Sequence, residues 1–129
     1  MLKTEKALSH WLQKTYPDVD WTRIENTCSD GMPDLHGCYN GKEFWVELKV
    51  NKPVIRSSQY SWWLRRLSKG MTNQFVMCAK GHTIELYWNA PSVLSTGNNR
   101  LLINNAPDDT FYDITDSFEQ AVLLKTLAS

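Results

Sequence analysis

Asp34, Glu47 and Lys49 are the residues of this 129-residue chain whose types and spacing could carry out chemistry. They lie in the stretch Gly31-Met-Pro-Asp-Leu-His-Gly-Cys-Tyr-Asn-Gly-Lys-Glu-Phe-Trp-Val-Glu-Leu-Lys49, with Asn40-Gly41 near its middle. Asn-Gly favours a type I′ turn, because both residues tolerate the positive φ that this turn requires. A two-residue loop fixes the register: Tyr39 faces Lys42, Leu35 faces Val46, and Asp34 faces Glu47. Directly opposed side chains have Cβ atoms about 5 Å apart, and like charges there repel unless something positive lies between them. Alternation along the strand brings Lys49 to the same face as Glu47, whereas Phe44, Val46, Leu48 and Val50 join Leu35 on the other face, which is the expected core.

Two converging carboxylates favour a hard divalent cation such as Mg²⁺, which retains waters and accepts a phosphate oxygen in its octahedral shell. The peptide carbonyl of Leu48 is a further available ligand. A lysine ammonium beside the ion can orient water or balance the charge that develops on phosphorus. The chemistry this set assembles is phosphodiester hydrolysis. The plainer reading is an exposed strand whose charges happen to be Asp, Glu and Lys; the Asn-Gly register favours the chemical one.

The flanking sequence supplies elements that could hold this hairpin. Ala7, Leu8, Trp11 and Leu12 recur at helical spacing within residues 3–15, with Thr4 as a cap and Tyr16-Pro17 as a stop. Residues 20–27 alternate as a strand. Residues 57–69 read as a second helix capped by Ser57 and ended by Gly70, with Tyr60, Trp63, Leu64 and Leu67 on the sheet. Residues 74–79 and 83–88 form a hairpin across Lys80-Gly81-His82. Residues 89–109 read mainly as loop, with a short strand at 101–103, and residues 110–114 read as a final strand. A closing helix at 116–127 turns Phe118, Ala121, Val122 and Leu124 or Leu127 inward. The expected architecture is α/β, one sheet flanked by helices in a single domain, with a core over residues 1–89 and an extension over 90–129.

Apolar residues make up 42% of the chain and are spread throughout, which excludes a disordered chain, and no run is long enough to cross a bilayer. No secretory signal is recognisable at the start, so a cytoplasmic protein is expected. Cys28, Cys38 and Cys78 form no Cys-x-x-Cys pair and read as reduced thiols, and the histidines are equally scattered; a structural zinc is not expected. Formal net charge is zero, yet from Leu48 to Ile84 there is no Asp or Glu, while Lys49, Lys52, Arg56, Arg65, Arg66, Lys69 and Lys80 all fall there. A basic zone directly after a carboxylate pair suits a phosphate-bearing partner, although charge runs are also ordinary solvated helix faces.

Pro33-Asp34, followed thirteen residues later by Glu47-Leu48-Lys49, resembles the PD-(D/E)xK nuclease superfamily. More narrowly, Gly31-x-Pro33-Asp34-Leu35, Glu47-x-Lys49 and Gln59-x-x-Trp62 resemble the virus-type replication-repair nuclease (VRR-Nuc) family. The resemblance covers about residues 1–80 and implies a restriction-endonuclease-like αβββαβ core with a mixed central sheet. It also implies Mg²⁺ or Mn²⁺ at Asp34 and Glu47, Lys49 as the catalytic lysine, and Gln59 beside it as a positioning group. An acidic residue on the first helix is implied at the metal, and Glu5 matches it; Glu5 can equally serve in a capping box, and Glu25 is a substitute. Lys52, Arg56, Arg65, Arg66 and Lys69 become candidates for the DNA backbone. His36 has a substrate-contact and a passive reading. Family analogy points to a homodimeric nuclease of branched DNA such as Holliday junctions. A nuclease of linear or flap DNA in restriction, repair or phage genome processing, and a non-catalytic binding module, are the alternatives.

Overall fold

The computed structural model describes residues 2–24, 31–89 and 91–129. Expectations for Glu25 and Cys28, and for the strand beyond residue 24, lie outside the described residues. The order is α1 (Glu5–Thr15), β1 (Asp20–Arg23), β2 (Leu35–Tyr39), β3 (Lys42–Val50), β4 (Val54–Arg56), α2 (Ser57–Ser68), β5 (Gln74–Lys80), β6 (Thr83–Trp88), β7 (Val93–Gly97), β8 (Arg100–Ile103), β9 (Asp109–Phe111) and α3 (Ser117–Leu127). Six strands form a mixed sheet in the order β1-β2-β3-β5-β6-β9, and β4-β8-β7 form a small second sheet. Among the described residues only the β3–β5 pairing is parallel; the crossover between them carries β4 and α2.

Both faces of the large sheet are covered. Leu35, Phe44, Val46, Leu48, Met77 and Leu86 pack on one face against Leu8 and Leu12 of α1 and Leu123 and Leu127 of α3. Val76, Cys78 and Tyr87 pack on the other face against Trp62 and Trp63 of α2 and against Ile55 and Ile103 of the small sheet. Glu47 and Lys49 lie on this second face, so they occupy a covered layer rather than an open strand surface. The β2–β3 turn forms as expected, with Asn40 at φ 55° and Gly41 at φ 79°, and Tyr39 pairs with Lys42 and Leu35 with Val46.

Several elements differ from expectation, each for a local reason. Ser57 is the first residue of α2, and Arg56 takes the cap position with extended backbone. Gln59 Oε1 accepts the Arg56 N–H at 2.8 Å, which is half of a capping box; an arginine side chain has no acceptor to complete it. The buried seam of α2 is Gln59, Trp62 and Trp63, while Leu64 is 45% exposed. In α3 the inward positions are Leu123 and Leu127, one helical repeat apart, and Phe118 is 74% exposed. Phe118 lies five residues before Leu123, about 140° around the helix, and cannot share its face.

Residues 91–109 are not mainly loop. Asn98 and Asn99, at φ 52° and 61°, make a two-residue turn that joins β7 to β8, and β8 then pairs with β4. The last strand, β9, ends at Phe111 and completes the edge of the large sheet beside β6. The segment after residue 90 therefore supplies strands to both sheets and a helix to the larger core.

In β2, Gly37 lies opposite Phe44, whose ring covers it and meets the edge of Trp21 at 5.6 Å between centroids. A Cβ at position 37 would come within 2.5 Å of that ring. Gly37→Ala is expected to lower stability by about 1–3 kcal/mol, the usual range for overpacking. Urea unfolding measures it, and an unchanged midpoint would contradict this packing.

Candidate active site

The parallel β3 strand builds the centre of the site. Odd-numbered residues of β3 turn their backbone groups toward β5, as Trp45 does in donating to Asn73 O at 2.8 Å. Leu48 turns the other way, toward β2. The β2 ladder stops at Leu35–Val46, because the chain bends at Asp34 directly after Pro33. Asp34 is therefore not a ladder partner of Glu47, contrary to the expected register. Its Oδ2 instead accepts the Leu48 N–H at 2.8 Å, replacing the missing strand bond. A strand residue presents its N–H and C=O to the same edge, so the Leu48 carbonyl also faces this opening.

Glu47 is 1% exposed. Its Oε2 accepts from Gln59 Nε2 at 2.7 Å and lies 3.3 Å from the Lys49 ammonium. Among the described residues its Oε1 is buried without a hydrogen-bond partner. Burial, and secondly the Asp34 carboxylate, push the Glu47 carboxyl up to about 8, and Lys49 pulls only partly against them. A buried oxygen with no donor beside a second carboxylate is a costly arrangement in a dry layer, and a cation would relieve it.

Gln59, 4% exposed, is held at both ends: its amide nitrogen serves Glu47 and its oxygen serves the Arg56 N–H. One side chain thus fixes both the start of α2 and the rotamer of the buried carboxylate. Gly31 lets α2 come this close. At φ 89° it sits against the helix start, where a Cβ would fall 2.2 Å from the Ser58 carbonyl oxygen.

These groups open into a cavity of about 530 Å³. Glu5 lines it together with Asp34, Glu47, Lys49 and Gln59, so the sequence-derived set converges. Glu5, Asp34 and Leu48 also line a smaller adjoining recess of about 80 Å³. Lys52 and Arg56 reach the main cavity because Asn51, at φ 70°, turns the chain sharply after β3. Arg65, Arg66 and Lys69 do not line it. They lie in or just after the last turns of α2, about 9 Å or more along the axis from Gln59. The Arg66 guanidinium lies 4.8 Å from the Trp62 ring centroid in a cation–π contact. His36 is 2.9 Å from Glu43 Oε1 and packs on Trp45, outside the cavity.

Arg100 lines the cavity and was not anticipated. It enters through the β4–β8 pairing, where it stands opposite Arg56. A signal for it existed: Gly97-Asn98-Asn99 separates Val93-Leu94 from Leu101-Leu102-Ile103, the pattern of a tight hairpin.

The donor set fits a hard cation. Among the described residues no group of three or more His, Cys, Asp or Glu gathers closely enough to hold a metal with side chains alone. Asp34 and Glu47 with the Leu48 carbonyl leave most of an octahedron to water, as Mg²⁺ prefers. The orphaned Glu47 Oε1 is the feature that such an ion would satisfy.

No protein-family model matches the sequence, and no match is found among curated proteins. Among solved structures, the fold is similar to that of Hjc, a Holliday junction resolvase from the archaeal hyperthermophile Archaeoglobus fulgidus. The TM-score is 0.53 and the identity 13%, over 80% of this chain and 86% of that one. The DrdV–DNA complex aligns over 97% of this chain but 11% of that one, at 14% identity and a TM-score of 0.40, too low to bear on the fold. The chain has a mixed central sheet flanked by helices, similar to the restriction-endonuclease-like fold of Hjc. At this identity the likeness concerns the fold alone. No helix among the described residues is long and apolar enough to cross a membrane.

Two outcomes follow from the carboxylate and its helix. An unfolded chain releases the Glu47 proton near the ordinary 4.5, whereas the folded metal-free chain keeps it to about 8. Between these values the native state binds more protons, so its stability falls as pH rises from about 5 to 8. In the presence of a chelator, Glu47→Gln should flatten this decline in thermal unfolding; an identical slope would remove Glu47 as its source. Gly31→Ala should push the start of α2 away and break the Gln59–Glu47 bond, with a loss of about 1–3 kcal/mol. Chemical denaturation gives the loss, and a crystal structure with that bond still at 2.7 Å would refute the coupling.

Proposed function

We propose that this chain is a metal-dependent endonuclease that hydrolyses phosphodiester bonds of DNA, with branched DNA such as a Holliday junction as its preferred substrate. The observation that carries this reading is the unpartnered Oε1 of buried Glu47, beside Asp34 and Lys49 in a cation-lined cavity. The likeness to the fold of a Holliday junction resolvase favours branched DNA, and the Gly31-x-Pro33-Asp34, Glu47-x-Lys49 and Gln59 pattern favours a VRR-Nuc-type enzyme.

Asp34, Glu47 and the Leu48 carbonyl would hold Mg²⁺, or Mn²⁺ in its place, with Glu5 acting through water from α1. When bound, such an ion supplies Lewis acidity toward a phosphate oxygen and toward water. The remaining steps belong to side chains of this protein. Gln59 holds Glu47 Oε2, so that the free Oε1 is directed to the reacting centre. Lys49, tied to the same carboxylate, orients the attacking water and offsets negative charge as it builds on phosphorus. Lys52 and Arg56 bind the strand beside the scissile phosphate. Arg65, Arg66 and Lys69 could touch only a substrate that runs past the far end of α2. Two copies of the chain would present two such sites to two strands of a junction.

Incubation with Mg²⁺ and a four-way junction, a flap or a linear duplex tests the proposal. The junction should be cut fastest. Asp34→Ala and Glu47→Ala should reduce cleavage by about 10³-fold or more, and Lys49→Ala by about 10²-fold, in line with loss of a metal ligand or a charge stabiliser. Calorimetry should show Mn²⁺ binding that is much weaker in Asp34→Ala. Binding without cleavage of any of the three substrates would discard the enzyme, and equal cutting of linear duplex would discard the preference for branches.

A further inference from the structure

Arg56 and Arg100 are direct cross-strand partners in the small sheet. Directly opposed side chains have Cβ atoms about 5 Å apart, and two like charges so placed destabilise a strand pair. Both side chains are exposed, and neither guanidinium meets a carboxylate among the described residues. Both nevertheless line the same cavity as Glu47 and Lys49. Their backbones are firmly held: Ser57 donates to the Asn99 carbonyl at 2.9 Å, and the Thr96 hydroxyl donates to the Arg100 carbonyl at 3.2 Å. The repulsion is thus built into the fold, and an anion between the two forks would turn it into attraction. Planar guanidinium groups match phosphate oxygens in bidentate geometry.

We infer that Arg56 and Arg100 form a clamp for a second backbone phosphate, on the same DNA strand as the phosphate that Lys49 faces. The inference rests on the nuclease reading for the identity of the strand; the anion site itself rests on the strand pairing. The clamp sets the direction in which the strand crosses the cavity, and it makes the β7–β8 hairpin part of the substrate-binding wall. The carboxylates come from α1 and the β2–β3 region, and the clamp comes from β4 and β8. One side of the cavity therefore suits a cation and the other suits phosphate.

Binding of a labelled four-way junction by fluorescence anisotropy, in the presence of a chelator and across a salt series, tests the clamp. Arg100→Ala should weaken binding by about 10-fold and reduce the slope of log affinity against log salt by about 0.9, the loss of one phosphate contact. Arg100→Lys should keep the slope and recover only part of the affinity, because the fork is lost. Lys125→Ala, on α3, should match the wild type. Inorganic phosphate provides a second readout: it should raise the melting temperature of the wild type and leave that of Arg100→Ala unmoved. If the wild type binds and cuts DNA while Arg100→Ala retains both affinity and slope, the clamp is wrong and the nuclease stands. If the wild type neither binds nor cuts DNA, yet phosphate stabilises it through Arg100, the nuclease is wrong and the anion site stands. If phosphate stabilises wild type and Arg100→Ala alike and the slopes agree, Arg56 and Arg100 form no anion site.

Discussion

A carboxylate with almost no access to water is the constraint around which this protein is arranged. Glu47 sits in the layer between the large sheet and α2, where an ionised group has lost its hydration and needs replacement partners. Among the described residues the fold supplies them to one oxygen, through Gln59 and Lys49. Placement of α2, the sharp turn at Asn51 and the close approach at Gly31 all bear on that one oxygen. Among the described residues the other oxygen has no hydrogen-bond partner. Apolar packing alone would not produce this arrangement, because Trp62 and Trp63 could cover the sheet without a glutamine in their seam.

Much of this geometry was legible in the sequence because it depends on local rules. Asn40-Gly41 dictates its turn from two residues, and alternation then places Glu47 and Lys49 on one face. Glu5, Asp34 and Gln59 line the same cavity as these two, and the place of Glu5 and Gln59 there was expected only from a resemblance in spacing. Asp34 departed from the ladder because Pro33 bends the chain before pairing can begin, and a side-chain bond to Leu48 replaces the strand bond. That substitution depends on the β3 edge left unpaired beyond Leu35–Val46, which alternation cannot reveal.

The parts that were not legible depend on partners distant in sequence. Residues 54–56 are too short to announce a strand, and their partner lies beyond residue 99. Asn98-Asn99 obeys the same positive-φ logic as Asn40-Gly41 and its hairpin is readable locally, but the pairing of that hairpin with β4 is not. Leu64 and Phe118 face outward for a related reason. Apolar residues outnumber the positions that face inward on α2 and α3, and only the neighbouring layers decide which of them are buried.

Gln59 joins two properties that proteins usually keep apart. Its amide group closes the first turn of a helix and also holds the buried carboxylate, so fraying of that turn and misalignment of the carboxylate are one event. Because β4 runs directly into α2 and Ser57 donates to the Asn99 carbonyl, the small sheet anchors that turn, and with it the orientation of a side chain in the large one.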